Sequence, residues 1–263
     1  MQSLRPTLDL EEFFERLHSA PQRVLMLDYD GTLAPFHEDP AQAMPYPGIP
    51  ALLDAILQSG RTRLVIVSGR WIKSLLPLLD LRSMPEIWGS YGWERSLPNG
   101  RYTAAPVQAP AFEALTTAEQ WMSDLEHLGA RCERKLTSLA FHWRGLPNDR
   151  IVEIRNRIFE KWMSLAAEKD IGWHDFDGGI EFRAHGWDKG EVVRAILAES
   201  GPHAVYAYLG DDVEDERAFK ALPDTGLSVL VRGQFRPTAA DLWLQPPEDV
   251  CEFLTRWQRA VSR

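Results

Sequence analysis

The stretch VLMLDYDGTLAPF, residues 24–36, decides the fold. Val24 to Leu27 is a short, unbroken apolar run, the pattern of a strand buried on both faces of a parallel sheet. It ends in Asp28, with Asp30 two residues on and Gly31-Thr32 making a turn. Three further runs share this texture: Leu64 to Val67, Val205 to Leu209, and Leu227 to Val231. Helical periodicity lies between the first two (Ile49 to Gln58) and after the third (Glu214 to Ala221). An amphipathic helix carrying Leu10, Phe13, Phe14 and Leu17 precedes them all. Strands alternating with helices predict a doubly wound, Rossmann-like α/β core with a parallel sheet.

The middle of the chain reads differently. Ala111 to Leu128 is expected to be one helix, with Phe112, Leu115, Met122 and Leu125 inward and Gly129 as its stop. Ala130 to Lys135 and Ser138 to Trp143 read as strands. A helix from Asp149 to about Lys169 follows, with Ile151, Ile154, Ile158 and Trp162 on one stripe, and then a strand from Gly179 to Arg183. This α+β unit is inserted between the second and third core strands. The expected organisation is a core of residues 1–103 and 183–263 and an inserted α+β cap domain of residues 104–182.

Composition bounds the function. The chain has 263 residues, with 29 Lys and Arg against 38 Asp and Glu and a formal charge of -9. Nucleic acid and anionic membranes both require a basic footprint, so neither is an expected partner. No apolar run approaches the ~20 residues of a membrane span. Acids stand near the N-terminus where a signal peptide needs an apolar stretch. The two cysteines, Cys132 and Cys251, lack metal-ligand spacing and are too few for a disulfide scaffold. A soluble, cytoplasmic protein is expected, with a monomer as the default and a small molecule as the partner.

In open α/β sheets ligands bind at the carboxyl ends of the strands, and four such places carry reactive groups. Asp28 and Asp30 put two carboxylates at one strand end, where they repel unless a cation lies between them. An Asp capping a turn beside Gly is the ordinary alternative. In RLVIVSGR, residues 63–70, Ser68, Gly69 and Arg70 follow a strand, and a hydroxyl with backbone N–H groups there can hold an anion. Ser-Gly after a strand is also common loop chemistry. In WDKGEVVRAIL, residues 187–197, Asp188 and Glu191 fit a capping box that puts Lys189 in the first turn of a helix, against the macrodipole. Holding an anion gives that placement a reason; a tolerated surface charge is the alternative.

In AVYAYLGDDVEDERAF, residues 204–219, a strand runs into Gly210, and Asp211, Asp212, Glu214, Asp215 and Glu216 crowd behind it. So many acids suggest a hard cation with oxygen ligands, Asp211 being nearest the strand end. An acidic first helical turn, favoured by the dipole, accounts for some of them. Carboxylates, Mg²⁺ and a Lys make up an inventory for phosphoryl transfer. The cation and the Lys neutralise the phosphate, one carboxylate attacks, and another handles the proton.

In order and spacing the four stretches resemble the four motifs of the haloacid dehalogenase-like phosphatase superfamily. The closer resemblance is to the trehalose-6-phosphate phosphatase family, carried by LDYDGTLAPF, DPAQA, IVSGR, GSYGWE, GARCERK, IEFRAHGWDKG and YLGDDVEDERAF within residues 24–219. Two positions depart from that family's pattern: Tyr91 stands where it usually has His, and Glu214 where it usually has Thr. The resemblance implies that Asp28 is the nucleophile and forms an aspartyl-phosphate. Asp30 is implied as general acid for the leaving sugar oxygen and then as base for water. Ser68 and Lys189 are implied to bind the phosphoryl oxygens, with Gly31, Thr32, Gly69 and Arg70 lining the substrate. Mg²⁺ is implied to be held by Asp28, the backbone carbonyl of Asp30 and Asp211, with Asp212 and Asp215 outside them.

In the inserted unit a period of two sets Arg131, Glu133 and Lys135 on one strand face, and Glu181 and Arg183 on a face opposite Ile180 and Phe182. Glu133, Lys135 and Glu181 match the residues that grip the distal sugar in the resembled family. Without that match, a solvated face laced with salt bridges is the plainer reading. Trp93 and Trp187, next to motifs, are the tryptophans expected near the sugar. The implied activity is Mg²⁺-dependent hydrolysis of trehalose 6-phosphate. Hydrolysis of another sugar phosphate or a glycosyl-phosphoglycerate is the alternative. A silent sugar-phosphate sensor is a third reading, and such a domain would be expected to lose the pair Asp28 and Asp30.

Overall fold

Alternate residues of strand β2 (Gln22–Leu27) are buried in two different clusters. Leu25 and Leu27 pack with Phe13, Leu53, Leu75 and Phe253, whereas Val24 and Met26 pack with Val192, Ile196 and Phe219. A strand covered on both faces has no polar side, which is why its sequence shows no alternation. Each such side chain taken out of water contributes about 1.5–3 kcal/mol before conformational entropy is set against it.

The computed structural model describes residues 1–165, 171–176 and 178–262. One unit comprises Met1–Ala104 and Trp187–Arg263. Besides β2 its strands are β1 (Gln2–Ser3), β3 (Arg63–Val67), β4 (Glu86–Gly89), β5 (Glu94–Ser96), β6 (Tyr102–Ala104), β11 (Ala204–Gly210), β12 (Leu227–Val231) and β13 (Leu242–Leu244). Their order in the sheet is β1-β13-β12-β11-β2-β3-β4-β5-β6, parallel from β13 to β4 and antiparallel at both edges. Helices α1 (Leu10–Ser19), α2 (Ile49–Gln58), α3 (Ile72–Leu79) and α9 (Glu248–Ser262) supply the cluster on one face. Helices α7 (Lys189–Glu199) and α8 (Asp215–Ala221) supply the other, so the sheet is doubly wound.

The second unit, Ala105–Gly186, holds α4 (Ala109–Glu119), α5 (Met122–Glu126), β7 (Arg131–Arg134), β8 (Ser138–His142), α6 (Asn148–Leu165), β9 (Ile171–Phe176) and β10 (Gly179–Ala184). Its strands pair antiparallel in the order β7-β8-β10-β9. Leu139, Phe141, Ile180 and Phe182 are buried, and Trp162 stacks on Phe182 with ring centroids 4.5 Å apart.

Several sequence expectations need correction here. The single helix over Ala111 to Leu128 is two helices, broken where Trp121 turns its ring edge-on to Phe182 at 6.0 Å. Phe112 is not inward but 48% exposed, because the buried stripe of α4 is Ala111, Ala114, Leu115 and Ala118. Strand β9 was not anticipated, and the helix end expected near Lys169 lies outside the described residues. The boundary expected at residue 183 falls inside β10, and the first unit resumes at Trp187. No helix among the described residues is long and apolar enough to cross a membrane.

Candidate active site

The parallel register aligns Leu27 with Leu209, so the residues that follow β2 and β11 emerge side by side. These are Asp28, whose N–H donates to the Leu209 carbonyl at 2.9 Å, and Asp211; both are buried. Gly31 makes the turn after Asp30 with φ +79°, and a Cβ there would lie 2.3 Å from Asp211 Oδ2. Only glycine meets both demands.

Lys189 opens α7 and is buried. Its Nζ lies 2.8 Å from Asp28 Oδ1 and 2.7 Å from Asp215 Oδ1. Two close carboxylates outweigh the unfavourable end of the helix dipole, which explains a lysine in that position. Asp188 caps the helix by accepting the Glu191 N–H at 2.9 Å, whereas the Glu191 side chain pairs with Arg194 instead of closing the expected box. Asp215 is 0% exposed and has four donors. Lys189 and the Tyr208 hydroxyl (2.7 Å) converge on Oδ1, and the N–H groups of Asp211 (3.1 Å) and Asp212 (3.0 Å) converge on Oδ2.

Asp28, Asp211 and Asp215 offer carboxylate oxygens within 4.8 Å of one another. Burial pushes the Asp28 carboxyl up to about 7, with Lys189 opposing and Asp215 adding to the rise. Burial and then the Asp28 charge raise Asp211 well above the carboxylate range. Burial alone would lower the Lys189 ammonium, but Asp215 and Asp28 hold it well above its ordinary value. Among the described residues Lys189 pairs with Asp28 and Asp215, while the Asp211 carboxylate meets only the exposed Arg232 at 4.0 Å, so the buried carboxylates outnumber the buried cations, and all the donors are oxygens. A hard divalent cation fits that set. Four donors already occupy the Asp215 oxygens, so Asp28 and Asp211 are the freer carboxylates to meet it, and Asp215 is placed to support them.

Ser68 follows β3, is buried, and accepts the Arg70 N–H on its Oγ at 3.1 Å. Gly69 lies against the Tyr91 ring, where a Cβ would approach Cζ to 2.4 Å. Ser90 and Tyr91 both have left-handed backbone, φ 51° and 59°. Such residues are strained and survive only where their surroundings hold them. Here the Ser90 hydroxyl donates to Glu94 at 2.7 Å and the Tyr91 N–H to the Ser68 carbonyl at 3.0 Å. The Arg70 guanidinium, expected to line the substrate, grips Asp30 by two prongs and also donates to the Pro40 carbonyl at 2.7 Å. Thr32 is buried with its hydroxyl 3.5 Å from Asp28 Oδ2. Asp212 is half-buried, and its Oδ1 accepts the Val213 N–H at 2.6 Å.

In the second unit the register sets Glu133, Ala140, Glu181 and His174 in one row across the four strands. Glu181 is 2% exposed; its Oε1 accepts from Ser138 Oγ (2.6 Å) and Lys135 Nζ (3.2 Å), and its Oε2 from Arg183 Nε (2.7 Å). Burial alone would raise its carboxyl, but Lys135, Arg183 and Ser138 hold it well below the usual range. Glu133 meets His142 Nε2 at 3.2 Å; burial opposes and His142 and Lys135 prevail, bringing it down to about 2. The row is therefore a partly buried polar network, not a freely solvated face. Trp93 is buried and Trp187 packs on Trp88 at 5.4 Å, so both belong to the framework.

Sequence reasoning missed Tyr208 and His174. Tyr208 could have been found from the period of two in β11, since it shares a face with Gly210 at the acid-bearing end. His174 lay in a strand of mixed polarity that gave no periodic signal.

A model of the trehalose-phosphatase family matches residues 26–245. A trehalose-phosphate phosphatase of Mycobacterium avium is 33% identical over 260 residues, a match covering 91% of this chain and 63% of that protein. One from Mycobacterium marinum is 31% identical over 258 residues, covering 93% and 63%. The chain thus spans 63% of the length of these relatives. The solved C-terminal domain of C. albicans trehalose-6-phosphate phosphatase has the same fold, with a TM-score of 0.80 over 98% of this chain and 99% of that one at 21% identity. The family match begins within β2 and ends just beyond β13, taking in both stretches of the core and the whole inserted unit, and the chain belongs to the trehalose-phosphatase family.

Proposed function

We propose that this chain is a Mg²⁺-dependent phosphatase that hydrolyses trehalose 6-phosphate to trehalose and phosphate. The observation that carries the reading is the Lys189 ammonium set between Asp28 and Asp215, at the carboxyl ends of β2 and β11. It leaves Asp28 a buried carboxylate beside a fixed positive charge, where a phosphoryl group can be both bound and attacked.

In this reading an Asp28 oxygen attacks phosphorus, the bond from phosphorus to the sugar oxygen breaks, and Asp30 gives that oxygen its proton. Asp30 then takes a proton from water, which attacks the aspartyl-phosphate and releases phosphate and Asp28. Lys189 and Ser68 neutralise and orient the phosphoryl oxygens. Asp28, the Asp30 carbonyl and Asp211 would hold Mg²⁺, which when bound would supply charge neutralisation for the phosphoryl group. Asp215 orients Lys189, with Asp212 beside it, and Arg70 aims Asp30. Gly31, Thr32 and Gly69 shape the loops around the phosphate.

The inserted unit is proposed as a cap that supplies selectivity. Glu133, Lys135 and Glu181 would meet the distal sugar, with Ser138 and Arg183 fixing Glu181. A cytoplasmic location belongs to the same reading. Tyr91, lying against Gly69, favours one second reading: a phosphatase for another sugar phosphate or a glycosyl-phosphoglycerate. Phosphate release from a panel of such esters, with Mg²⁺ and with EDTA, tests both. The first reading expects trehalose 6-phosphate to be the best substrate, with activity lost on chelation and restored by Mg²⁺. A faster ester would favour the second, and full activity in metal-free buffer would refute the metal.

A further inference from the structure

Arg236, on the segment after β12, is at first sight misplaced. A guanidinium close to a cation site repels the cation. Its contacts explain why it is there. Its Nη2 donates to the Asp212 carbonyl at 2.7 Å, and Nε and Nη2 both reach the Asp211 carbonyl at 3.3 Å. Its Nη1 pairs with Glu216, which is itself held by Thr238 Oγ1 at 2.7 Å and the Ala239 N–H at 2.8 Å.

The Asp211 carbonyl and the Asp212 N–H belong to one peptide group. Its oxygen faces Arg236, and its N–H donates to Asp215 Oδ2 at 3.0 Å. That peptide plane is therefore fixed between a cation and an anion, with its dipole aligned to both. A peptide plane that cannot rotate fixes the ψ of Asp211, and with it the direction in which the Asp211 side chain leaves the backbone towards Asp28.

We propose that Arg236 is a positioning residue for the metal, acting through the peptide that follows Asp211, and that it raises cation affinity despite its own charge. The proposal rests on the cation site of the preceding section. Positioning partners of this kind typically change metal affinity by about 10- to 100-fold.

The sign of the effect distinguishes this role from others. Arg236→Gln removes a positive charge, which by electrostatics alone tightens cation binding; loss of aim weakens it. Arg236→Lys keeps the charge, but one ammonium cannot span two carbonyls and Glu216. Binding of Mn²⁺, followed by the electron paramagnetic resonance signal of the free ion and by displacement with Mg²⁺, is the readout, with the thermal midpoint of the metal-free protein alongside. The expected order of affinity is wild type, then Arg236→Gln, then Arg236→Lys, with Arg236→Gln weaker than wild type by about tenfold or more. Should Arg236→Gln not fold, Glu216→Gln loosens the same clamp and is expected to shift Mn²⁺ binding in the same direction by a smaller factor. Unchanged or tighter binding with only a lowered thermal midpoint would overturn the proposal and leave Arg236 as a loop staple. A wild-type protein that binds neither ion would instead overturn the metal reading itself.

Discussion

Arg70 holds Asp30 with both prongs of its guanidinium, Nε on Oδ2 at 2.7 Å and Nη2 on Oδ1 at 2.6 Å. The same guanidinium lies over the Tyr29 ring at 5.6 Å, so the fork is fixed from a third side. Asp30 is thus aimed by a side chain from the loop that carries Ser68. Replacing Arg70 by Lys keeps the charge but loses the two-pronged match. A positioned acid–base group is worth about 10²- to 10⁴-fold in rate, and partial loss of its aim should lower kcat by about tenfold or more. Steady-state phosphate release measures this; an unchanged kcat would mean that Arg70 does not position Asp30.

Asp28→Asn keeps the shape of the side chain and, in the proposed mechanism, removes both the attacking charge and a metal ligand. Turnover is expected to fall by several orders of magnitude. Phosphate release close to that of the wild type would refute Asp28 as the nucleophile.

On the proposed reading of the inserted unit as a selectivity cap, Glu133→Ala separates recognition from chemistry. A lost hydrogen bond to a buried sugar hydroxyl costs about 1–3 kcal/mol, or roughly ten- to a hundredfold in rate. The variant should lower kcat/KM for trehalose 6-phosphate by at least about tenfold and barely alter hydrolysis of a small aryl phosphate. Equal losses on both substrates would place Glu133 in support of folding; no loss on either would return it to the salt-bridged sheet face.

Glu181 makes the stability of the protein depend on acid. Its carboxyl is held below its ordinary value by Lys135, Arg183 and Ser138 against the effect of burial. A depressed folded-state pKa stabilises the fold above the unfolded value, about 4.3, and that contribution is lost as pH falls below it. Thermal melts from neutral pH downward should show the midpoint declining once pH drops below about 4. Glu181→Gln should flatten this part of the profile and lower stability at neutral pH by about 3–5 kcal/mol, since Lys135 and Arg183 lose a buried partner. A Glu181→Gln variant as stable as the wild type would show that the network contributes nothing net.

How much could be read beforehand follows from how local each signal is. β2, β3, β11 and β12 announce themselves because each carries a run of four or more mostly apolar residues, and α2 matches its periodic stretch residue for residue. β4 is equally buried yet unreadable, because it begins with Glu86. That carboxylate is tolerated only through Arg63 at 2.8 Å, Arg95 at 2.8 Å and Trp88 Nε1 at 2.8 Å, partners that the fold itself assembles. Asp28, Ser68, Lys189 and Asp211 were legible because each sits at the end of a locally recognisable element. The grip of Arg70 on Asp30, the hydroxyl of Tyr208 on Asp215 and the clamp of Arg236 were not, since each joins segments distant along the chain.

Gly31 and Gly210 each stand where a methyl group would strike a carboxylate, Asp211 in the first case and Asp215 in the second, at 2.3 Å. Asp215 is therefore seated against the end of the strand that precedes it, whereas Asp211 is seated against bare backbone contributed by a distant part of the chain. This has a consequence for anyone recombining relatives. A chimera that takes residues 24–36 from one parent and 204–219 from another would need the two backbones to nest within a few tenths of an ångström, a tolerance that side-chain rotamers cannot make up. Exchange of the two segments as a matched pair should preserve the acid cluster, whereas exchange of either alone should spread it apart.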